Sequence, residues 1–187
     1  MGSNLTCADV VMTVPKTDGQ IAVPLSPGIA LSGTWTPTNS TNGTIVTRTP
    51  STSTQHYRLP VVIPHRTTAL KGAEIISYTV SYSVSVGDVD ADGIVLTLLK
   101  QTIPTDGSAV TGSIVAGNSE DHYDASHNST TKRLATGAHT VKVTLPTPAY
   151  IADGVQYYLN IKVTDGASAD LGFSLTGVVV NYIVAPL

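Results

Sequence analysis

Asp88, Asp90 and Asp92 stand at alternate positions and Gly93 follows at once, the sharpest chemical pattern in this 187-residue chain. Alternate carboxylates can converge on one hard cation, and a glycine after them permits the tight turn that such a loop needs. The spacing matches the opening half of a calcium loop, so calcium is the one cation the sequence proposes. The twelfth position of a full loop supplies a bidentate Glu, and here that position is Leu99, inside an apolar run. A turn rich in Asp and Gly is also an ordinary connection between strands, and that is the plainer reading.

A second cluster runs Glu120-Asp121-His122-Tyr123-Asp124-Ala125-Ser126-His127. Its imidazoles and carboxylates have the chemistry of an acid–base pair or a metal site. No cysteine joins them, and His56, His65 and His139 lie far off in sequence. The stretch 117–129 carries no apolar pattern to aim the side chains, so it reads as a solvated loop or a contact surface. Exposed rings can stack on sugars, and Trp35, Tyr57, Tyr123 and Tyr150 are the candidates. Tyr123 leads as a ligand-binding residue because it falls in an irregular segment. Tyr78, Tyr82 and Tyr157 are expected on core faces with their hydroxyls at the rim. The chain has neither a Gly-x-Ser-x-Gly elbow nor a His-Glu-x-x-His pair, and no Gly-rich phosphate loop. No enzymatic activity is expected, and no cofactor other than calcium at the Asp turn.

The elements that would hold these groups are strands. From Ile76 to Val86 every even position is large and apolar and every odd one is Ser or Thr. A period of two over that length is a strand with one buried and one wet face. Apolar or alternating runs recur at Ile94–Ile103, Ala109–Ala116, His139–Leu145, Val155–Thr164 and Leu171–Val184. Thr130–Ala135 is expected as a short strand, Pro146 and Pro148 as the stop after Leu145, and Gly177 as a bulge. No segment shows a 3.6-residue apolar period. The fold class is all-β, an antiparallel β-sandwich or jelly roll over residues 71–187.

Residues 1–70 read as an extended Pro/Thr-rich N-terminal arm or a small β sub-domain. Ala8–Val14 and Gly19–Val23 are short strand candidates, Thr34–Thr54 a polar loop, linker or arm, and Tyr57–Pro64 an edge strand or arm. Val61, Val62 and Ile63 are the arm residues expected to bind a partner.

Composition narrows the partners. Only 12% of residues are charged, against about 25% in an average soluble domain. Formal charge is −3, and the ten Lys and Arg are scattered, so a nucleic-acid partner is not expected. Cys7 alone excludes an intrachain disulfide and favours folding in a reducing compartment. The N-terminus lacks a basic and an apolar signal region, and no apolar run approaches the roughly 20 residues of a membrane span. A chain with mean hydropathy +0.15 and so little charge carries apolar surface that an oligomer or shell would cover.

A Ser-, Thr- and Gly-rich, nearly helix-free β-chain with an arm-like first third resembles the accessory structural proteins of tailed-phage virions. These are the capsid cement (decoration) proteins and the modules of head and tail fibres. The resemblance implies a protein made in the host cytoplasm and destined for the virion, with an arm across the shell and a sandwich standing outward. It implies the major capsid protein or other virion subunits as partners, a homo-oligomer with a trimer favoured, and no membrane. The function it implies is cementing, a bridging of subunits that stiffens the shell. The alternative is a carbohydrate- or receptor-binding β-module of a phage fibre, using residues 117–129 with calcium at Asp88, Asp90 and Asp92.

Overall fold

The computed structural model describes residues 17–26, 28–41, 43–63, 70–85, 93–117, 119–152, 154–165 and 171–186. They form β1 (Thr17–Ala22), β2 (Ile29–Ser32), β3 (Trp35–Ser40), β4 (Gly43–Arg48), β5 (Gln55–Val61), β6 (Leu70–Val84), β7 (Gly93–Thr102) and β8 (Thr111–Ala116). After these come a single 3-10 turn at Glu120–His122, a short helix α1 (Thr130–Leu134), then β9 (Gly137–Tyr150), β10 (Val155–Thr164) and β11 (Phe173–Pro186).

One sheet runs β3-β4-β11-β6-β9, with β1 also paired to β11, and the other runs β2-β5-β10-β7-β8. All the pairings are antiparallel. Taken alone, β4 to β11 give the orders β4-β11-β6-β9 and β5-β10-β7-β8. That is the jelly roll, two interlocked Greek keys whose chain keeps crossing between sheets. The core lies between the sheets, where Tyr78, Val80, Val180 and Val143 of the first meet Leu59, Leu96, Leu98 and Ile161 of the second.

The long alternation from Ile76 is realised from Tyr78 onward, with Tyr78, Val80, Tyr82 and Val84 all buried. Ile76 itself departs from it. The register skips it in both flanking pairings, so Ile75 and Ala73 face the core below it while Ile76 lies half-buried in an outer-face groove. Facing this bulge, β9 carries four residues, Leu145 to Pro148, between its pairings at Thr144 and Ala149. Pro146 and Pro148 therefore do not stop the strand. They occupy a bulge on an edge strand, where a missing N–H breaks no ladder. Gly177 sits at another register shift, as expected.

Several expectations are corrected. Residues 17–63 are neither an arm nor a separate sub-domain: β1, β3 and β4 belong to one sheet and β2 and β5 to the other. Within them, Thr34–Thr54 is a hairpin rather than a linker, with Trp35, Val46 and Arg48 buried and the threonines outward on an edge, where β-branched side chains fit. Of Tyr57–Pro64, Tyr57 and Arg58 are flanked by β2, while among the described residues Leu59–Val61 pair with β10 alone, so the strand is an edge where Pro60 stands; Pro64 lies outside the described residues. Thr130–Leu134 is helical because the Ser129 hydroxyl caps it, accepting from the Lys132 amide. Ala8–Val14 lies outside the described residues.

Arg48 and Asp165 are both fully buried and 2.7 Å apart. The guanidinium donates to Gln55 Oε1 at 2.8 Å, to the Leu171 carbonyl at 2.8 Å and to the Ser51 carbonyl at 3.0 Å. Asp165 Oδ2 accepts from the Ser51 amide, while Oδ1 lies beside Nη2 off the N–H line, an ionic contact. Arg48→Met leaves the carboxylate buried and unpaired, and such a break costs about 3–5 kcal/mol. The urea midpoint should fall accordingly, and adding Asp165→Asn should recover part of the loss. A midpoint unchanged in Arg48→Met would remove the pair from any structural role.

Candidate functional site

The stretch 117–136 carries the chain from β8 to β9, and the expected acid–base cluster lies within it. Tyr123 is buried, with its hydroxyl accepting from the Leu96 amide at 3.0 Å and lying 3.0 Å from the Gly117 carbonyl. The pairing of β8 to β7 reaches only Leu98, so past it the Tyr123 hydroxyl serves the β7 backbone in place of a strand. The Leu96 carbonyl lies 3.2 Å from the Tyr123 hydroxyl and accepts from the Tyr78 hydroxyl at 2.8 Å. Burial raises both phenols, that of Tyr78 strongly, which keeps each a neutral donor. Gly117 makes the close approach possible: at φ +88° its added Cβ would lie 1.7 Å from the Leu96 oxygen.

Arg133, also buried, lashes this crossover to the body. It donates to the Ile94 carbonyl at 2.9 Å and the His127 carbonyl at 2.8 Å, and it stacks 4.3 Å above the Tyr123 ring. The carboxylate Asp124 pairs with His127 Nδ1 at 2.8 Å and accepts from the Lys142 amide at 2.8 Å and the Ser126 amide at 3.0 Å. Burial pushes the Asp124 carboxyl up, but the Lys142 amide, His127 and the Ser126 amide together outweigh it and hold it below its ordinary value. His127 lies edge-on to His139, which stacks on Tyr82 at 4.9 Å. His122 Nδ1 accepts from the Gly117 amide. Every one of these groups fastens the loop. The cluster is an architectural lock in which Asp124 and His127 orient each other.

Among the described residues no three His, Cys, Asp or Glu side chains gather closely enough to hold a metal ion. Asp88, Asp90 and Asp92 lie outside the described residues. The sugar-stacking rings are corrected: Trp35, Tyr57 and Tyr123 are buried, and of the four candidates only Tyr150 is exposed, at 49%. Tyr123 offers no free face, because Arg133 covers its ring and β7 takes its hydroxyl.

Of the partner-binding candidates, Val61 and Ile63 point into the core and only Val62 turns outward, 73% exposed. The period of two in an extended chain requires this split. Val62 borders the outer face of the sheet built by β2, β5, β10, β7 and β8. Paired residues share a face, and the register Pro60↔Tyr158↔Leu99↔Ile114 lays an apolar row across four strands on that outer side. Ile114 is 52% exposed. A groove of about 300 Å³ lies along the row, with Arg58, Lys100 and Val110 also at its walls. A second, of about 250 Å³, adjoins it on the far side of Tyr158 and includes Val62.

The opposite outer face is different in kind. There the register Thr36↔Thr47↔Ser174↔Ser83 makes a row of hydroxyls, with Thr47 and Ser174 oxygens 3.3 Å apart. Beside it run Gln20↔Asn181↔Ser77↔Thr144. Along Val155–Thr164, Val155, Tyr157, Leu159, Ile161 and Val163 alternate onto one side, which leaves Tyr158 on the other. The apolar row itself needed strand register, which no single segment contains.

No protein-family model and no curated protein matches the chain. Among solved structures, it is similar to the functional form of the mosquito-larvicidal Cry4Aa toxin from Bacillus thuringiensis, with TM-score 0.34 and 9% identity over 90% of this chain and 23% of that one. It is also similar to the enzymatically active domain of tailspike protein 4 of bacteriophage CBA120, with TM-score 0.29 and 8% identity over 92% of this chain and 19% of the other. For the infectious bursal disease virus Gx strain the TM-score is 0.19 at 12% identity, over 92% of this chain and 41% of that one. The chain thus spans less than half of each of these structures, and likenesses this distant carry no argument.

Because the folded Asp124 carboxyl is held below its ordinary value, its stabilising effect is complete above the unfolded value of about 4. It is lost as pH falls through the folded value. Protection of the Ser126 and Lys142 amides from hydrogen exchange, taken against the free-chain rate at each pH, should therefore fall below about pH 4. Asp124→Asn should show faster exchange already at pH 7 and no further acid step at these amides. An acid step of the same size in that variant would assign the effect to another group.

Proposed function

We propose that the chain is a non-enzymatic virion structural protein, a capsid cement or decoration protein that bridges shell subunits through the outer face of the β2-β5-β10-β7-β8 sheet. The observation that carries this reading is the contrast between the two outer faces. One presents rows of Ser and Thr; the other presents Pro60, Tyr158, Leu99 and Ile114 in line, with Val62 beside them. Apolar side chains in a contiguous row mark a surface meant to be covered. A hydroxyl-rich back can remain in water.

Jelly rolls serve as both viral capsid and lectin domains, so fold-level analogy admits cementing and sugar recognition alike. The surface favours cementing. Sugar recognition would draw on exposed rings, and three of its four candidates are core residues. Low charge and multiple copies suit a lattice protein, in which many modest contacts add through multivalency. A trimer is the oligomer this reading expects.

The test replaces two outward side chains, Val62→Asp and Ile114→Asp, together. Surface positions such as these usually change stability by no more than about 0.5 kcal/mol, so the melting temperature should barely move. Native mass of the unaltered protein should report a trimer, and copies of the double variant bound per purified virion should drop by about tenfold, as expected when charge enters an apolar contact. Full occupancy by a well-folded double variant would overturn the reading.

A further inference from the structure

Among the described residues Arg58 has no hydrogen-bond or ion-pair partner, and no carboxylate lines the first groove. Lys100 pairs with the core residue Tyr157, so its side chain leaves the other side of the sheet. Arg58 Nε is shut off from solvent with nothing to donate to. Its guanidinium carbon rests 5.7 Å from the centroid of the Tyr158 ring, which supports the plane of the fork without using its N–H groups. The Nη groups of the fork are not shut off in this way and have no protein acceptor, so they are the donors that a ligand oxygen in the groove can reach. Arginine presents its donors in a planar fork that matches a carboxylate. Next to Arg58 the walls turn apolar at Leu99, Val110 and Ile114, with Val110 50% exposed.

We propose that this groove binds an extended acidic segment of a protein partner, seating one carboxylate on Arg58 and an adjacent apolar side chain against Leu99, Val110 and Ile114. Charge complementarity selects the acidic residue. The groove selects a peptide over a long acyl chain: at about 300 Å³, open along a sheet face, it holds one or two side chains and encloses no tunnel. The inference deepens the reading of this sheet as the docking face and rests on it, naming the chemistry that the face expects.

The test uses the full-length protein and three labelled ten-residue peptides in which Leu alternates with Glu, with Gln or with Lys. Fluorescence anisotropy should show saturable binding of the Glu peptide and about tenfold weaker binding of the other two, with the difference shrinking as salt rises. Arg58→Gln should remove the preference, and Arg58→Lys should restore part of it. Equal binding of the Glu and Gln peptides, no binding at all, or an unaltered preference in Arg58→Gln would each overturn the proposal. So would dodecanoate displacing the Glu peptide stoichiometrically, or a concentration-dependent dimer that Arg58→Gln abolishes, since the occupant would then be an acyl chain or a second copy. Virion occupancy separates the two levels. If Ile114→Asp releases the protein and Arg58→Gln does not, the face docks without a carboxylate; if neither does, the docking reading itself fails.

Discussion

A guanidinium without access to water sits where this chain changes sheets. Burying the Arg48 cation and the Asp165 anion costs several kcal/mol per ion, and only close pairing with saturated donors offsets it. The geometry supplies that: Asp165 on one side, with Gln55 and the Ser51 and Leu171 carbonyls around the fork. Gln55 opens β5 and Ser51 lies on the crossing from β4, whereas Asp165 and Leu171 flank the crossing from β10 to β11. One side chain thereby fixes two inter-sheet crossings relative to each other. A jelly roll depends on such crossings, because its sheets share no backbone ladder.

A second guanidinium performs the matching task at the crossing from β8 to β9. Arg133 ties α1 to β7 through Ile94, and the Tyr82 hydroxyl donates to the Arg133 carbonyl from the opposite sheet at 2.9 Å. Between the two lashings runs a line of rings. Tyr57 meets Trp35 at 5.2 Å, Trp35 meets Phe173 at 6.0 Å, Phe173 meets Tyr82 at 5.1 Å, and Tyr82 meets His139. Each such aromatic contact adds about 0.5–1.5 kcal/mol beyond its buried area. The residues with the most chemical appearance are in this way consumed by architecture. Asp124 and His127, which in isolation look like an acid–base pair, are the outermost links of the same network.

The two outer surfaces differ because the strands present different outward residues. Ser and Thr fill the outward positions of β6 from Ser77 to Ser83, and much of those of β4 and β11. On the other sheet Pro60, Tyr158, Leu99 and Ile114 make one outward row, with Arg58 alongside. A hydroxyl face stays solvated at little cost, while an apolar row beside an unpaired cation gains free energy when covered by the right partner. The cementing proposal and its acidic partner segment both follow from that asymmetry.

By itself the sequence determined the all-β class, most strand positions after residue 70, the bulge at Gly177, and the outward side of Tyr158. Each is local: a period of two, a turn residue or a bulge glycine can be read within one segment. It misled at Thr34–Thr54 and Thr130–Leu134, where polar composition concealed a hairpin that buries Trp35, Val46 and Arg48, and where a Ser129 cap outweighed strand propensity. Only the tertiary structure decided that residues 17–63 complete both sheets, that Tyr123 serves β7, and that Val61 and Ile63 are core while Val62 is not. It alone lined up Pro60, Tyr158, Leu99 and Ile114. These outcomes depend on which strands pair and in what register. Along that row register joins residues 15, 59 and 98 positions apart, where no single segment's pattern reaches.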